Sequence, residues 1–388
     1  MGEWKEYKLG DITTEIGDGI HGTPNYSEDG EFYFINGNNI SNGKVIIKGD
    51  TKRVNRIEFE KYKKLLSNRT ILLSINGTIG NVGFYNNEKC ILGKSACYFN
   101  LKDNVDKNFV YYTFLTDDFQ SHLLNIATGT TIQNVPLKGL RESIILLPPL
   151  DEQIRIASIL SSLDDKIDLL HRENKTLEAM AETLFRQWFI EEAKEDWEEG
   201  KLGDFVSVID NRGKTPPYTD NITEYPIIEV NALTGTERYV KYNLVKKYVE
   251  KDIYDSWFRG YFRKYDIFVS TVGSIGELAM CLEEKGVIAQ NVIALHANNI
   301  SPFYLYQYLN YNKDDLKGLD IGSVQPSIKV PHLLNMSIII PPHDKLKEYD
   351  IIMLDIIEKE EKNIKQIQTL IQQRDSLLPK LMNNEINI

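Results

Sequence analysis

Apolar residues recur in steps of four and three through two segments of the chain, in the pattern of a long helix. In residues 151–192 the repeat runs without a break and includes one polar member, Asn174. In residues 343–388 it contains two charged interruptions, Glu360 and Arg374. A seven-residue repeat of this kind is typical of a coiled coil. The predicted core positions are Ile156, Leu160, Leu163, Ile167, Leu170, Asn174, Leu177, Leu184, Ile357, Ile364, Ile367, Ile371, Leu378 and Leu381.

A helix with such a stripe needs an apolar partner, because the stripe would otherwise lie exposed to water. Each of the two predicted helices can supply the other's partner, so we predict that they pack as an antiparallel coiled coil. A coiled coil between two copies of the chain is the alternative that the pattern leaves open. Asp151 and Asp344 stand two residues after Pro-Pro in both segments and are predicted to cap the helices at their N-termini.

The remaining stretches, residues 1–150 and 193–342, carry short β-rich runs separated by glycine turns. In the first stretch these runs predict strands at Phe32–Ile35 and Thr70–Ile75. A longer run with helical spacing predicts one helix over Phe109–Leu124. The fold class is therefore predicted to be α/β, in the α+β sense, with two homologous lobes joined by two long helices.

The homology of the lobes is visible in the sequence. WKEYKLGD (Trp4–Asp11) returns 193 residues later as WEEGKLGD, and LLSINGTIGNVGFY (Leu72–Tyr85) returns 196 residues later as FVSTVGSIGELAMC. GTTIQNV and IILLPPLDEQ return in the same order as GSVQPSI and SIIIPPHDKL. Four segments repeated in order at a nearly constant offset indicate an internal duplication. The duplication divides the chain into a first lobe (1–150), a central helical spacer (151–192), a second lobe (193–342) and a C-terminal helical spacer (343–388).

Charge separates the lobes from the central spacer. The net charge is −11, and residues 151–200 alone hold 14 acidic and 6 basic residues. Each lobe instead contains a basic cluster, around Lys61 in the first lobe and around Lys246 in the second, at matching positions of the repeat. A single cluster of this kind is as readily a solvated surface. Two matching clusters favour contact with the phosphates of a nucleic acid.

The chain lacks the residue spacings of common enzyme sites. It has no G-x-x-x-x-G-K-[ST] phosphate loop, no G-x-G-x-x-G after a strand and no G-x-S-x-G elbow. Its six histidines and three cysteines lie too far apart for local metal-ligand spacing. Its apolar runs are too short to cross a bilayer and its first residues are charged, which predicts a cytoplasmic protein. We therefore predict a protein that is not an enzyme, with no catalytic and no metal-ligating residues.

The stretch KTPPYTD (Lys214–Asp220) comes close to the Pro-Pro-aromatic motif with which DNA adenine methyltransferases hold the amino group that they methylate. That motif has Asp, Asn or Ser before the two prolines, whereas this chain has Thr215. The repeat aligns the stretch with GTPNY (Gly22–Tyr26), which has no second proline. We therefore interpret both stretches as the same loop of each lobe.

Reading a DNA sequence requires amide and hydroxyl groups for base edges and Lys or Arg for phosphates. Such groups are concentrated in loops that recur at matching places in the two lobes, although each loop alone is typical of a solvated turn. The predicted DNA-binding residues of the first lobe are His21, Thr23, Asn25, Tyr26, Asn36, Asn38, Lys61, Lys63, Lys64, Asn76, Thr78, Lys94, Ser95, Thr130, Thr131 and Gln133. Those of the second lobe are Arg212, Lys214, Thr215, Tyr218, Asn231, Lys246, Lys247, Ser274, Gln290, Asn291, Ser323, Gln325 and Ser327.

With these segments in place, the chain resembles the specificity (S) subunit of type I restriction–modification systems over its whole length. The most specific matches are KLGD at the start of each lobe, the G-[ST]-x-G turns at Gly77 and Gly273, LPPLDEQ (Leu147–Gln153), NKTLEAMAETLFRQWF (Asn174–Phe189) and QRDSLLPKLMNNEI (Gln373–Ile386). The second copy departs from the first at Asp344–Leu346, where DKL replaces DEQ.

The resemblance implies a non-catalytic subunit with two target-recognition domains, each of which reads one half of a split, asymmetric DNA site. It implies that the helical spacers bind two modification subunits, which methylate adenine, and that restriction subunits complete the complex as translocase and nuclease. S-adenosylmethionine, ATP and Mg²⁺ are then expected on those partner subunits, and no cofactor is expected on this chain. A second class stays open at this stage, a non-enzymatic tandem-repeat scaffold for protein partners.

Overall fold

The computed structural model describes residues 3–213, 215–235, 237–288, 290–322 and 324–386. The chain forms two compact units, which we call unit 1 (residues 1–168 and 367–388) and unit 2 (residues 169–366). Each unit contains one lobe and a portion of each long helix. Among the residues described, no helix is long and apolar enough to cross a membrane.

The first lobe alternates short strands with short helices. Its strands are β1 (Lys5–Lys8), β2 (Thr13–Asp18), β3 (Phe32–Ile35), β4 (Ile40–Ser41), β5 (Lys44–Val45), β6 (Arg53–Val54), β7 (Thr70–Ser74), β8 (Val82–Phe84), β9 (Cys90–Leu92), β10 (Ala96–Leu101) and β11 (Ile144–Leu147). Its helices are α1 (Leu9–Ile12), α2 (Arg56–Tyr62), α3 (Lys107–Leu115), α4 (Asp117–Ile126) and α5 (Leu137–Glu142).

The rest of the chain repeats this plan between two long helices. After the first lobe come helix α6 (Leu150–Arg186) and a π-helical turn at Gln187–Glu191. The strands of the second lobe are β12 (Glu198–Lys201), β13 (Val206–Ile209), β14 (Tyr225–Ile228), β15 (Tyr248–Val249), β16 (Ile267–Ser270), β17 (Leu278–Met280), β18 (Val287–Ile288), β19 (Val292–Ala297) and β20 (Ser337–Ile340). Its helices are α7 (Lys251–Trp257), α8 (Pro302–Tyr311), α9 (Lys313–Gly318) and α10 (Val330–Leu334), and the long helix α11 (His343–Met382) follows.

The sheets of the two lobes have the same strand order. An antiparallel sheet β2-β10-β7-β8 in the first lobe corresponds to β13-β19-β16-β17 in the second. A three-stranded sheet β6-β3-β9 corresponds to β15-β14-β18, and the pair β1-β11 corresponds to β12-β20. In the first lobe, β7 (TILLS) is buried at every position. Ile71 and Leu73 belong to one core cluster and Leu72 to another, so both faces of the strand are covered, which explains the consecutive apolar residues. The predicted α+β fold with two homologous lobes is confirmed.

Two local predictions are wrong. The single helix expected over Phe109–Leu124 is interrupted at Thr116, whose backbone is extended and whose hydroxyl accepts a hydrogen bond from the Phe119 backbone N–H, so that it caps α4. Asp151 and Asp344 lie inside the first turns of α6 and α11 and are not the N-caps. Their charge still favours those turns, because it complements the positive end of the helix dipole.

The long helices pair antiparallel, as predicted. In unit 2, Asn174 on α6 contacts Asn363 on α11, and Phe189 in the π-helical turn after α6 contacts Tyr349 on α11, so one residue number rises as the other falls. In unit 1, Asp164 on α6 pairs with Arg374 on α11 at 2.8 Å. The pairing forms within one chain.

The predicted core positions of the helices are buried or half-buried. Those that are buried are Ile156, Leu160, Ile167, Leu170, Ile357, Ile367 and Leu381. Those that are half-buried are Leu163, Asn174, Leu177, Leu184, Ile364, Ile371 and Leu378. In unit 1 the helices close the core of the first lobe with Leu160 and Leu381, and in unit 2 they close the core of the second lobe with Phe185 and Ile357.

Candidate nucleic-acid interface

The glycine turns after β7 and β16 have one hydrogen-bond pattern. In the first lobe the buried Ser74 hydroxyl donates to the Thr78 carbonyl and accepts from the Asn81 backbone N–H at 2.9 Å. In the second lobe the Ser270 hydroxyl donates to the Ser274 carbonyl at 2.6 Å and accepts from the Glu277 backbone N–H at 2.8 Å. The turns place Thr78 and Ser274, two predicted DNA-binding residues, on the surface of their lobes.

Glycines at these turns have backbone angles that other residues rarely adopt. Gly77 and Gly80 have φ of +75° and +98°, and Gly273 and Gly276 have φ of +82° and +73°. A side chain added at Gly77 would meet nothing within 4 Å, so the backbone conformation and not crowding requires glycine there. The open space above Gly77 lets another molecule approach the backbone closely.

A second loop lies against each turn. In the first lobe the Val135 backbone N–H donates to the Ile75 carbonyl at 2.9 Å, which brings the loop of Thr130, Thr131 and Gln133 beside Asn76. In the second lobe the Ile328 backbone N–H donates to the Thr271 carbonyl at 2.8 Å. That contact brings the loop of Gln325 and Ser327 to the same place. Two loops that are about 55 residues apart in sequence therefore form one surface in each lobe.

A cavity of about 360 Å³ lies next to this surface in the first lobe. His21, Asn76 and Lys94, all predicted DNA-binding residues, line it together with Asp18 and Asn134. The Nε2 atom of His21 lies 2.8 Å from Oδ2 of Asp18, and the His21 side chain is 75% exposed. The cavity is thus lined by amide, imidazole and ammonium groups, which are suited to polar base edges.

The KTPPY loop of the second lobe contacts other predicted residues. The Gln290 amide donates to the Thr215 hydroxyl at 2.8 Å, and the Lys247 ammonium lies 5.1 Å from the centre of the Tyr218 ring. The side chain of Tyr218 is exposed. Lys214 and Ser323, also predicted to bind DNA, lie outside the described residues.

The basic clusters adjoin these loops in both lobes. In the first lobe, Glu58 on α2 accepts from the backbone N–H of Asn25 at 2.9 Å, so the loop is attached to the helix that leads to Lys61 and Lys63. Lys64 follows and is exposed, as are Lys61 and Lys63. In the second lobe, Thr219 and Tyr248 pair through their backbones beside the exposed Lys246 and the half-buried Lys247. The Lys247 ammonium pairs with Glu229 at 2.9 Å.

Several predicted residues are held by contacts within their lobe. The Ser95 hydroxyl donates to the Asn36 side chain at 3.0 Å and accepts from the Gly37 backbone N–H at 2.9 Å. The Asn231 amide donates to the Leu244 carbonyl, as the Asn39 amide does to the Ile46 carbonyl in the first lobe. The predicted residues with exposed side chains are His21, Thr23, Asn25, Tyr26, Asn38, Lys61, Lys63, Lys64, Thr78, Lys94, Thr130, Thr131, Gln133, Thr215, Tyr218, Lys246, Ser274, Asn291 and Gln325.

Three residues at these surfaces were not predicted from the sequence. Asp18 and Asp210 lie at the ends of the equivalent strands β2 and β13. They contact His21 and Arg212, and Thr271 accepts from Arg212. An acidic residue is an unpromising candidate beside phosphates, and Thr271 is fully buried. The signal that could have found the two aspartates is their matching place in the repeat. Their separation differs by one residue from the 193-residue offset between WKEYKLGD and WEEGKLGD.

Comparison with known proteins matches the chain to a family. The family model described as "Type I restriction modification DNA specificity domain" matches the chain twice, at residues 1–179 and 194–373. Each match covers one lobe and the first part of the helix that follows it.

Individual relatives agree with the family match. The type I restriction enzyme MjaIX specificity subunit of Methanocaldococcus jannaschii is 26% identical over 416 residues, which cover 100% of this chain and 94% of that protein. The type I restriction enzyme HindI specificity subunit of Haemophilus influenzae is 24% identical over 196 residues, or 49% of this chain and 42% of that protein.

A solved structure shares the fold. The crystal structure of the type I restriction–modification S subunit from M. genitalium superposes with a TM-score of 0.59 at 20% identity, and the match covers 98% of this chain and 96% of that one. The alternative of a protein-interaction scaffold finds no support in these relatives.

Proposed function

The chain belongs to the type I restriction–modification DNA specificity family, and we propose that it reads a bipartite, asymmetric DNA site, one half with each lobe. In this proposal the lobes, residues 1–150 and 193–342, are the two target-recognition domains. Residues 151–192 and 343–388 are the helical spacers on which partner subunits assemble.

One observation carries the proposal: the same hydrogen-bonded turn and the same adjoining loop recur in both lobes with different side chains on them. Ser74 and Ser270 make equivalent contacts, whereas the exposed positions after them are Thr78 and Ser274. The adjoining loops read TTIQN in the first lobe and SVQPS in the second. A shared scaffold with different polar groups is what two different half-sites require, because hydrogen bonds to base edges determine specificity.

The proposal assigns the chemistry to other subunits. Two modification subunits would bind the helical spacers and methylate adenine with S-adenosylmethionine, and restriction subunits would use ATP and Mg²⁺. The chain itself would hold no cofactor and perform no catalytic step. Its role would be to select the DNA on which those subunits act, in the cytoplasm where host DNA is found.

An exchange of lobes tests the proposal. Residues 1–150 would be replaced by the corresponding lobe of another specificity subunit, and methylated adenines would be mapped across genomic DNA in cells that also produce the modification subunit. We expect one half of the methylated site to change and the other half to stay as in the wild type. An exchange of residues 193–342 is the matched experiment and should change the other half. A change of both halves in either exchange, or methylation without any sequence preference, would contradict the proposal.

A further inference from the structure

One acidic residue stands at the same place in both lobes, at the end of the strand that leads into the candidate interface. Asp18 ends β2 and pairs in register with Cys97 on β10. Asp210 follows β13, in which Ile209 pairs with Ala294 on β19. Each aspartate contacts one basic side chain that follows it closely in sequence, His21 in the first lobe and Arg212 in the second.

The contact between Asp210 and Arg212 determines how the guanidinium is oriented. One carboxylate oxygen accepts from Nε of Arg212 at 2.8 Å and the other accepts from Nη2 at 2.6 Å. The Arg212 backbone N–H also donates to Asp210, at 3.0 Å. Two parallel hydrogen bonds between the planar groups fix both the direction and the tilt of the guanidinium. The Arg212 hydrogen bonds lower the pKa of the Asp210 carboxyl, so the carboxylate stays charged.

The neighbouring residues hold this pair in place. The side-chain oxygen of Asn211 accepts from the backbone N–H groups of Arg259 and Gly260 at 3.0 and 3.3 Å. Nη1 of Arg212 lies 3.4 Å from the hydroxyl of Thr271, and that hydroxyl donates to the Asn291 carbonyl. Arg212 is therefore attached to the strand end on one side and to the predicted Asn291 loop on the other.

Some of the N–H donors of the Arg212 guanidinium have no partner among the described residues. A guanidinium has five N–H donors, one on Nε and two on each terminal nitrogen. Asp210 takes the Nε hydrogen and one on Nη2, and Thr271 takes one on Nη1. One hydrogen remains on each terminal nitrogen, without a partner among the described residues. An arginine that presents one N–H from each terminal nitrogen is the side chain that pairs with both N7 and O6 of guanine in the major groove.

We propose that Arg212 reads a guanine in the half-site of the second lobe and that Asp210 is the positioning residue that orients it. The inference rests on the proposed function, since it assigns one base contact within the site that the lobe is proposed to read. Asp210 does not repel DNA in this arrangement, because the Arg212 charge neutralises it and Arg259 lies close by.

The first lobe uses the same arrangement with a different reader. Asp18 holds Nε2 of His21, which leaves Nδ1 as a single donor or acceptor in place of the two donors of Arg212. The His21 side chain is much more exposed than that of Arg212, at 75% against 26%. Equivalent aspartates that hold different readers give the two lobes different base preferences on one scaffold.

The test uses the complex of the full chain with its modification subunit. The site methylated by the wild type is determined first, and each base pair is then replaced in turn, so that relative methylation rates give the selectivity at every position. The variants are Arg212→Lys, which keeps the charge but has no planar pair of donors, and Asp210→Asn. Asp252→Asn, on the surface of α7, is the control.

We expect Arg212→Lys to lower the preference for guanine at one position of the second half-site by about 5- to 150-fold, which is the discrimination of one bidentate contact. Asp210→Asn should lower the preference at the same position and leave the other positions of that half-site as in the wild type. The control should match the wild type throughout. A role for Asp210 in folding alone would instead weaken the reading of every position in the half-site.

The experiment distinguishes failure of the proposed function from failure of the assignment of Arg212 to a guanine. If the wild-type complex methylates without sequence preference, the proposed function itself is wrong. If the wild type is selective but its second half-site contains no guanine, or Arg212→Lys leaves every position unchanged, only the present inference fails. A uniform loss across all positions in Arg212→Lys also overturns it, because Arg212 would then be structural.

Discussion

The guanidinium of Arg238 and the carboxylate of Glu360 form a buried ion pair in unit 2, with Nη1 and Oε2 3.4 Å apart and side chains only 2% and 1% exposed. Arg238 belongs to the second lobe and Glu360 to α11. The Tyr239 hydroxyl also donates to Glu360, and the Arg238 backbone N–H donates to Glu178 on α6 at 2.9 Å. The second lobe is thus joined to both long helices at one polar point. Burial raises the pKa of the Glu360 carboxyl, although Arg238 opposes the shift.

Replacement of Glu360 by glutamine should destabilise unit 2. The amide removes the carboxylate that contacts the buried Arg238 guanidinium, and loss of one partner of a buried pair costs about 3–5 kcal/mol. The free energy of unfolding, measured by chemical denaturation, should fall by an amount in this range. The double replacement Arg238→Met with Glu360→Leu should recover most of that loss, because neither charge of the buried pair then remains in the interior.

An exposed ion pair between α6 and α11 is the control for this prediction. Lys359 and Glu173 lie 3.1 Å apart with side chains 48% and 39% exposed. Lys359→Ala should change the free energy of unfolding by less than about 1 kcal/mol. Equal effects of Glu360→Gln and Lys359→Ala would mean that the buried pair does not stabilise the attachment of the lobe.

A second polar contact lies between the long helices in unit 2. The Asn363 amide donates to Asn174 at 2.8 Å and to Glu173 at 3.0 Å, and Asn363 is 1% exposed. Asn363→Leu should lower the free energy of unfolding by about 1–3 kcal/mol, because it leaves a polar group without its partner in the interface. The double variant, with Asn174→Leu as well, should have a higher free energy of unfolding than the single variant, because the two leucines pack against each other. If the double variant is less stable than Asn363→Leu, the loss in the single variant does not come from leaving Asn174 without its hydrogen-bond partner.

The long helices could be predicted from the sequence, whereas the buried pair of Arg238 and Glu360 could not. The difference is whether the contacting residues lie close together along the chain. A seven-residue repeat is a local pattern, so Ile156 to Leu184 indicated a helix without any knowledge of its neighbours. Glu360 broke that pattern, and its partner Arg238 is 122 residues away along the chain. Arg374 broke it too, and it pairs with Asp164 at a separation of 210 residues. Long-range partners of charged core residues leave no local signal.

For the candidate interface, too, the sequence indicated the loops but not all of the residues in them. The repeat indicated the loops, because a duplicated scaffold preserves turn residues such as Gly77 and Gly273. The break of the predicted helix at Thr116 was missed, because a threonine is compatible with a helix unless its hydroxyl caps the next one. Asp18 and Asp210 were missed for another reason: an acid near phosphates is unfavourable until its basic partner is known.

The serine beneath each glycine turn should affect only its own half-site. Ser74→Ala removes the hydrogen bonds to the Thr78 carbonyl and the Asn81 N–H and so loosens the turn that presents Thr78. We expect weaker sequence selectivity in the half-site of the first lobe, measured by methylation of DNA variants with the modification subunit present. Ser270→Ala should do the same in the second half-site.

The control for the serine variants is Ser162→Ala on α6. Ser162 is exposed, and its hydroxyl donates to the Ile159 carbonyl of its own helix. This variant should read both half-sites as the wild type does. If Ser74→Ala weakened both half-sites equally, the turn would contribute to overall stability and not to the reading surface of one lobe.

The lysines at the C-terminal end of α2 and just after it should contribute affinity but no sequence preference. Lys61, Lys63 and Lys64 are exposed and adjoin the Asn25 loop through Glu58. Ammonium groups contact phosphates as point charges, and each phosphate contact adds about 0.9 to the slope of log K against log salt concentration. Replacing all three by glutamine should therefore lower the magnitude of that slope by up to about 2.7.

The salt dependence separates a contact with phosphates from a general effect of charge. Binding of the chain and its modification subunit to duplex DNA would be measured at several salt concentrations, for the specific site and for an unrelated sequence. Both affinities should fall by a similar factor in the triple variant, because the phosphates are common to all sequences. Lys285→Gln, an exposed lysine of the second lobe, should change the slope little. An unchanged slope in the triple variant would exclude these lysines from the DNA interface, and a loss confined to the specific site would assign them to base reading.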